Sequence, residues 1–402
     1  MQQIAIFGFG TVGSGVAQVI DVNCSQIEKA FPEGIHVKYI LDLRDFPNSP
    51  YADRVVHDVD IILNDPEISV VCETMGGVEP AHTFTKRALE KGISVCTSNK
   101  ELVAAKGPEL IRTAREHNCS YLFEASVGGG IPLLRVMNTS LSQEKLTRIT
   151  GILNGTTNYI LTGMESGDRS FDEMLKDAQG RGYAERNPEA DIEGYDAARK
   201  IAILASLLTG KTVNYENVLR EGISEISEAD FAYARAMECG IKLLSDAFLD
   251  DAAEVHSVTA PFLVSRESPL FGVSGVFNAV LLHGNMVDDV MFYGRGAGKE
   301  ATASAVVSDI IDCAKNRGSW IRVDWADDAA AMAPAGNDRR RFFVRVSASD
   351  EEKAYKVFGT DITRISAPGM VGEFAFVTAP VTEERFSGMA SEIDIISRIR
   401  VY

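Results

Sequence analysis

Over the first 130 residues, short apolar runs alternate with amphipathic stretches. Ile4–Phe7 reads as a strand that runs directly into glycines, and Val12 to Val22 is then helical. Val37–Leu41 and Ile68–Cys72 read as further strands, the second mostly apolar, as a strand buried on both faces would be. Glu79 to Lys91 has helical spacing and stops at Gly92. Ile93–Cys96 is a strand, Glu101 to His117 a helix and Tyr121–Phe123 a strand. Such alternation with short links predicts an α/β fold, a Rossmann-type doubly wound parallel sheet with helices on both faces.

The pattern changes after Gly128-Gly129-Gly130. Helices are predicted over 156–166, 170–180 and 193–209, strands over 253–259, 276–283 and 288–293, and a helix over 298–315. This is an α+β arrangement suited to a substrate and dimerisation domain. Residues 321–341 hold several Ala and Asp, then Pro334, Gly336 and three arginines, and read as a linker. From Phe342 to Tyr402 a small α+β piece has the order β-α-β-β-α-β, with strands near 342–348, 361–366, 372–377 and 395–401. The expected division is 1–130, 131–320 and 341–402.

Composition narrows the class. With 45% apolar and 24% charged residues, the 402-residue chain is an ordinary globular one, neither disordered nor fibrous. Lys and Arg total 40 against 57 Asp and Glu, a formal net charge of −17. Such a surface repels phosphate backbones and anionic membranes, which argues against nucleic acid or membrane partners. No apolar run approaches the ~18 residues of a membrane-spanning helix. The MQQIAIFGFG start has neither the basic stretch nor the cleavage site of a signal peptide. Six cysteines, at 24, 72, 96, 119, 239 and 313, form no CxxC pair, as expected for reduced thiols in a cytoplasmic protein.

Gly8-Phe9-Gly10-Thr11-Val12-Gly13 is a G-x-G-x-x-G between a predicted strand and a predicted helix. Gly8 permits the tight turn, Gly10 the approach of a pyrophosphate, and Gly13 close packing of helix on strand. Free N–H groups at the helix start then hold phosphate, even in an acidic protein. At the end of the second strand Asp42 suits the ribose hydroxyls of NAD, and Arg44 suits the 2′-phosphate of NADP. The strand boundary decides between them; we favour NADP.

Thr97-Ser98-Asn99-Lys100 follows a predicted strand, at the sheet end where ligands bind, and Lys100 adds a positive charge there. Glu124-Ala125-Ser126-Val127-Gly128-Gly129-Gly130-Ile131-Pro132 is a glycine turn behind a carboxylate. A carboxylate with turn carbonyls is hard-oxygen ligation for an alkali or alkaline-earth ion; alternatively Glu124 caps the turn. Asn154-Gly155-Thr156-Thr157-Asn158-Tyr159 reads as a strand end followed by a Thr-capped helix. Asp196 and Lys200, four apart, share a helix face, and Glu185 and Asp191 lie in the Gly/Pro loop before it. Three carboxylates around one lysine suit a small substrate bearing an ammonium, with a proton donor nearby. By itself Asp196–Lys200 could equally be a surface ion pair.

The stretch from Ala178 to Lys200 resembles the signature of homoserine dehydrogenase, A-x3-G-Y-A-x2-N-P-x2-D-I-x-G-x-D-x3-K, at every fixed position. GFGTVG, SNK, EASVGGGIP and GILNGTTNYI match in order, as do Tyr293-Gly294-Arg295-Gly296-Ala297-Gly298 and Thr302 to Val306. The resemblance covers about residues 1–318. It implies reversible hydride transfer between NAD(P)H and L-aspartate 4-semialdehyde to give L-homoserine, in threonine, methionine and isoleucine synthesis. It further implies that Lys200 gives or takes the proton at the substrate oxygen, and that Asp196, Glu185 and Asp191 bind substrate. Lys100 becomes a second catalytic lysine beside the cofactor, near Ser98, with Gly182 and Gly298 approaching the cofactor closely. Glu124 with the carbonyls of Val127, Gly129 and Ile131 resembles the family's sodium site. A dimer or tetramer is implied. Longer family members append an amino-acid-sensing ACT domain, and 342–402 looks like a shortened one. Its first turn, Ser347 to Glu352, lacks the Asp-x-Pro-Gly type expected before a ligand-binding helix, which favours a packing role over threonine sensing. The rival readings are a non-turnover dinucleotide sensor and a dehydrogenase for another amino-acid substrate.

Overall fold

The computed structural model describes all 402 residues. They fold into two compact units, one of residues 1–145, 206–212 and 294–329, the other of 146–205, 213–293 and 330–402.

In the first unit, β1 (Gln2–Phe7) leads through the glycine turn into α1 (Thr11–Val22) and α2 (Cys24–Ala30), then β2 (Ile35–Leu41). The chain continues as β3 (Val55–Val56), α3 (Val59–Leu63), β4 (Ile68–Glu73), α4 (Ala81–Glu90), β5 (Ser94–Thr97), α5 (Lys100–Glu116), β6 (Tyr121–Leu122) and α6 (Leu134–Asn138). The six strands are all parallel, in the order β3-β2-β1-β4-β5-β6. This is the doubly wound order whose direction of winding reverses between β1 and β4, where open sheets bind ligands beyond the strand ends. Every residue of β4 is buried, including the polar Ser69 and Glu73. A later helix, α12 (Lys299–Lys315), completes the core. Its Ala303 and Lys299 approach so close to Gly15 of α1 that a Cβ there would lie 3.0 Å from each.

The second unit starts with β7 (Leu146–Ile152), α7 (Gly155–Met164), α8 (Phe171–Gly180), α9 (Glu189–Ile192) and α10 (Tyr195–Thr209). Then follow β8 (Leu219–Arg220), α11 (Glu228–Ala236), β9 (Cys239–Leu249), β10 (Val255–Ser265), β11 (Phe277–Gly284) and β12 (Asp288–Arg295). The last part is β13 (Arg339–Ser347), α13 (Glu351–Phe358), β14 (Thr363–Ile365), β15 (Glu373–Val377), β16 (Val381–Thr382), α14 (Glu383–Ala390) and β17 (Ile395–Val401). The main sheet runs β12-β11-β7-β9-β10-β17-β13-β15-β14. Its last four strands are antiparallel neighbours, the arrangement of the ferredoxin-like β-α-β-β-α-β motif.

Several elements depart from the sequence expectation; α11 was not foreseen, and three further departures bear on the fold. β9 was not foreseen, because Lys242, Ser245 and Asp246 interrupt its apolar run; all three are buried and hydrogen-bonded. Residues 321–338 carry no long regular element; Val323 and Trp325 in them are buried, and the boundary between the two units falls inside the stretch, between Ala329 and Ala330. The 342–402 piece adds its strands to the main sheet through the parallel pairs Phe262–Arg400 and Leu263–Val401. No helix is long and apolar enough to cross a membrane.

Candidate active site

The glycine turn sits at the reversal point of the first sheet. Gly8 has φ +88, a conformation that favours glycine, and its carbonyl accepts a 2.8 Å hydrogen bond from the Thr74 hydroxyl at the end of β4. A Cβ on Gly13 would stand 2.1 Å from that same carbonyl oxygen. A Cβ on Gly10 would meet nothing within 4 Å, so this position faces open space. Phe9 is buried edge-on against Phe46 and Tyr51, which fixes the turn from behind. Thr11 and Val12 begin α1, whose N-terminus has no side-chain cap, so its N–H groups are available to phosphate. The residues present therefore fit a dinucleotide. Gly13→Ala is expected to abolish detectable NADP binding in a cofactor titration while most of the fold survives, since its Cβ collides with the Gly8 carbonyl rather than with the core.

Both side chains at the end of β2 reach this turn. The Asp42 carboxylate accepts from the Phe9 N–H at 2.8 Å. Arg44 then holds both Asp42 oxygens at 2.9 Å and lies over the Phe46 ring. The Arg44 pairing, against partial burial, keeps the Asp42 carboxyl well below the usual carboxylate range.

The buried Glu73 carboxylate, at the end of β4, accepts from the hydroxyl of Thr97, at the end of β5, at 2.6 Å and from the Met75 N–H at 2.8 Å. Burial pushes its carboxyl up; these bonds oppose it. Asn99 caps α5 by accepting from the Leu102 N–H, and its amide donates to the Gly77 carbonyl. Ser98 and Lys100 flank that cap and are half-buried. A lysine in the first turn of a helix opposes the helix dipole, so helix stability does not explain Lys100. Gly298, with φ +118, opens α12, and a Cβ on it would meet nothing within 4 Å.

The Glu124 carboxylate accepts from three consecutive N–H groups, Leu133 at 2.5 Å, Leu134 at 2.9 Å and Arg135 at 2.7 Å, at the start of α6. Its own N–H donates to Asp309, which also pairs with Arg135. Burial and then Glu124 push the Asp309 carboxyl up to about 8, against the pull of Arg135. The Glu124 carboxylate thus binds the helix start through both oxygens, and its main-chain carbonyl accepts from the Val127 N–H at 3.5 Å. No backbone N–H donates to the carbonyls of Val127, Gly129 or Ile131. A Cβ on Gly129 would lie 2.5 Å from the Gly296 carbonyl, which packs that turn closely. Neutral carbonyls beside two buried carboxyl groups fit a monovalent hard cation.

In the second unit, Lys200 is 8% exposed, and its Nζ donates to Asp196 Oδ2 at 2.7 Å and to the Leu153 carbonyl at 2.8 Å. A lysine carries three N–H donors, which leaves one for a substrate oxygen. The Asn154 amide joins two of the expected carboxylates, donating to Asp191 at 2.7 Å and Asp196 at 2.9 Å. The Asn154 carbonyl oxygen accepts from the Thr157 N–H. Asn154, not a threonine, therefore caps α7; the threonine hydroxyls turn instead to the Asn154 carbonyls and to Tyr183. This role was missed in the sequence, although Asn directly before GTT is the ordinary signal of an N-cap. Glu185 stands apart, exposed in the loop, with its main-chain carbonyl accepting from Gln179. Gly182 has φ +74 in the same loop and faces open space.

The homoserine dehydrogenase family model matches residues 132–311, and the model for that family's NAD-binding domain matches residues 8–124. A homoserine dehydrogenase of Synechocystis is 43% identical over 317 residues, covering 77% of this chain and 72% of its own. The structure of a homoserine dehydrogenase from Thiobacillus denitrificans superposes with a TM-score of 0.89 at 30% identity, covering 100% of this chain and 98% of that one. A hyperthermophilic archaeal homoserine dehydrogenase in complex with NADPH has a TM-score of 0.66 at 29% identity, covering 78% of this chain and 97% of that one. With the glycine turn at the sheet's reversal point and the Asp196–Lys200 pair buried beside Asn154, the chain belongs to the homoserine dehydrogenase family, NAD(P)-dependent oxidoreductases of amino-acid biosynthesis.

Proposed function

We propose that Lys200 is the proton donor and acceptor at the substrate oxygen when this enzyme interconverts L-aspartate 4-semialdehyde and L-homoserine. The observation that carries this reading is the Nζ held between Asp196 and the Leu153 carbonyl, with one donor left over. The bound dinucleotide supplies or takes up the hydride. As negative charge grows on the aldehyde oxygen, the Lys200 ammonium stabilises it and hands over a proton. Asp191 and Asp196, aligned by Asn154, face a substrate ammonium; Glu185 adds a third carboxylate from the exposed loop. Lys100 acts as a second catalytic lysine on the cofactor side, near Ser98, and Gly182 and Gly298 admit the cofactor closely.

NADP is the preferred cofactor in this reading. Arg44 neutralises Asp42 and offers an exposed guanidinium to a 2′-phosphate, while Asp42 remains able to bind ribose hydroxyls. Arg44→Ala is expected to raise the KM for NADP about tenfold, the scale of one charge-assisted contact, and to leave that for NAD nearly unchanged. Equal changes for the two cofactors in steady-state assays would refute this assignment.

A sodium ion, in the same reading, is held by the main-chain carbonyls of Glu124, Val127, Gly129 and Ile131. The chain works as a homo-oligomer, supported by exposed Met286, Met291 and Tyr293 on and beside β12, an edge strand of the main sheet. The 342–402 segment is a shortened ACT-like piece with a packing role. Two of its buried arginines support this, Arg345 on Asp230 and Arg400 on Glu221, and Arg340 just before the segment pairs with Asp246. Six free thiols suit a cytoplasmic setting.

A further inference from the structure

A short segment, 219–224, lies directly against the loop that carries Asp191. The Ile223 N–H donates to the Ile192 carbonyl at 2.8 Å, and the Ser224 hydroxyl donates to Glu193 at 2.9 Å. Arg220 stacks on Tyr195 with its guanidinium carbon 3.6 Å from the ring centroid. Contact at Gly222 is closer still: a Cβ there would stand 2.7 Å from the Ile192 carbonyl oxygen and 2.9 Å from Glu193 Cα. Ile192 and Glu193 follow Asp191, and Tyr195 precedes Asp196, so this contact flanks both substrate carboxylates.

The segment is itself pinned from the other side. Glu221 takes Arg400 on both oxygens, at 2.7 and 2.9 Å, and also pairs with Arg398. Arg400 is 1% exposed and holds Glu383 with its remaining donors. The Glu221 N–H donates to the Thr259 carbonyl of β10. An unbroken line of short contacts thus runs from β17, through Glu221 and Gly222, to the turn between Asp191 of α9 and Asp196 of α10.

We propose that Glu221, clamped by Arg398 and Arg400 of the C-terminal strand, is a positioning residue that sets the substrate loop. The C-terminal strand is in this way part of the catalytic architecture, because it fixes how tightly the substrate is read. The inference rests on the assignment of Asp191, Asp196 and Lys200 to substrate binding and proton transfer. Misplacing oriented groups by about 1 Å is known to cost as much as 10²-fold, and indirect coupling of this kind is usually smaller.

Gly222→Ala and Arg398→Met in the full chain test it. Gly222→Ala pushes on the loop without touching substrate, and Arg398 is partly exposed, so its loss leaves Arg400 to hold the fold. For Gly222→Ala the KM for L-homoserine should rise about 3- to 30-fold with the KM for NADP unchanged. Arg398→Met should move the same parameter in the same direction by less. Glu221→Gln should match Gly222→Ala, and Glu221→Asp should restore part of the loss. A folded Gly222→Ala protein with the wild-type KM for L-homoserine would overturn the proposal, as would a KM for NADP that rises equally. If Gly222→Ala or Glu221→Gln does not fold, Arg398→Met decides by the same two constants. An active Lys200→Ala enzyme would instead remove the assignment on which the inference stands.

Discussion

Lys200→Ala lowers kcat by about 10²- to 10⁴-fold, the range for loss of a positioned acid–base group, and leaves dinucleotide binding intact. The expectation follows from where the lysine is held. Its Nζ is fixed by Asp196 and a main-chain carbonyl, so it reaches the substrate oxygen without first being ordered. The amine is buried, and at a buried position an ammonium stabilises a growing oxyanion better than in water. Removing the amine strips away both the proton and the charge, so kcat falls more than KM rises. Cofactor binding is spared because the glycine turn and Arg44 belong to the other compact unit. Stopped-flow binding of NADP alongside steady-state rates separates the two effects. Wild-type kcat in Lys200→Ala would remove the lysine from the chemistry.

Asp246→Ala destabilises the protein by about 3–5 kcal/mol, the cost of leaving buried charges without their partner. Asp246 is fully buried on β9 and accepts from Arg148 at 2.8 and 3.0 Å, from Arg340 at 2.8 Å and from Thr150 at 2.7 Å. Arg340 comes from β13 and is itself buried, so the pair joins the C-terminal strands to the centre of the sheet. Burial opposes the charge on Asp246, but the two guanidiniums outweigh it and hold the carboxyl below its ordinary value. A carboxyl lowered in the fold contributes stability that is fully present above its unfolded pKa of about 3.9 and lost as pH falls through the folded value. The wild type should therefore lose more stability on acidification below about pH 4 than Asp246→Asn does. Denaturant midpoints measured across that range check the sign. An Asp246→Ala protein as stable as wild type would show that the arginines find other partners.

What was legible in the sequence is what local pattern fixes. Ile4–Phe7 followed by Gly8, Gly10 and Gly13 determines strand, turn and helix almost alone, and β4 is readable because burial on both faces leaves it mostly apolar. Lys200 and Asp196 were readable as a pair because helix geometry puts positions four apart on one face. Partners distant in sequence were not. Asn154 joins Asp191 and Asp196 across about 40 residues, and nothing local announces a side chain that serves both a helix cap and two carboxylates. Glu124 was read as an ion ligand or, alternatively, as a cap on the glycine turn; its carboxylate accepts three N–H groups at the start of α6, which depends on how the chain turns back after Pro132. β9 was hidden by charges whose partners, Arg148 and Arg340, lie some 95 residues away on either side. Long-range charge pairing is the information that periodicity does not carry.

The most direct test is to offer L-homoserine with NADP, and separately with NAD, to the full chain in sodium-containing buffer and follow the absorbance of reduced nicotinamide. Steady reduction with both, faster with NADP, is expected. No reduction with either cofactor would contradict the reading of Lys200 and Asp196 as a dehydrogenase's substrate residues and of the glycine turn as its cofactor-binding turn.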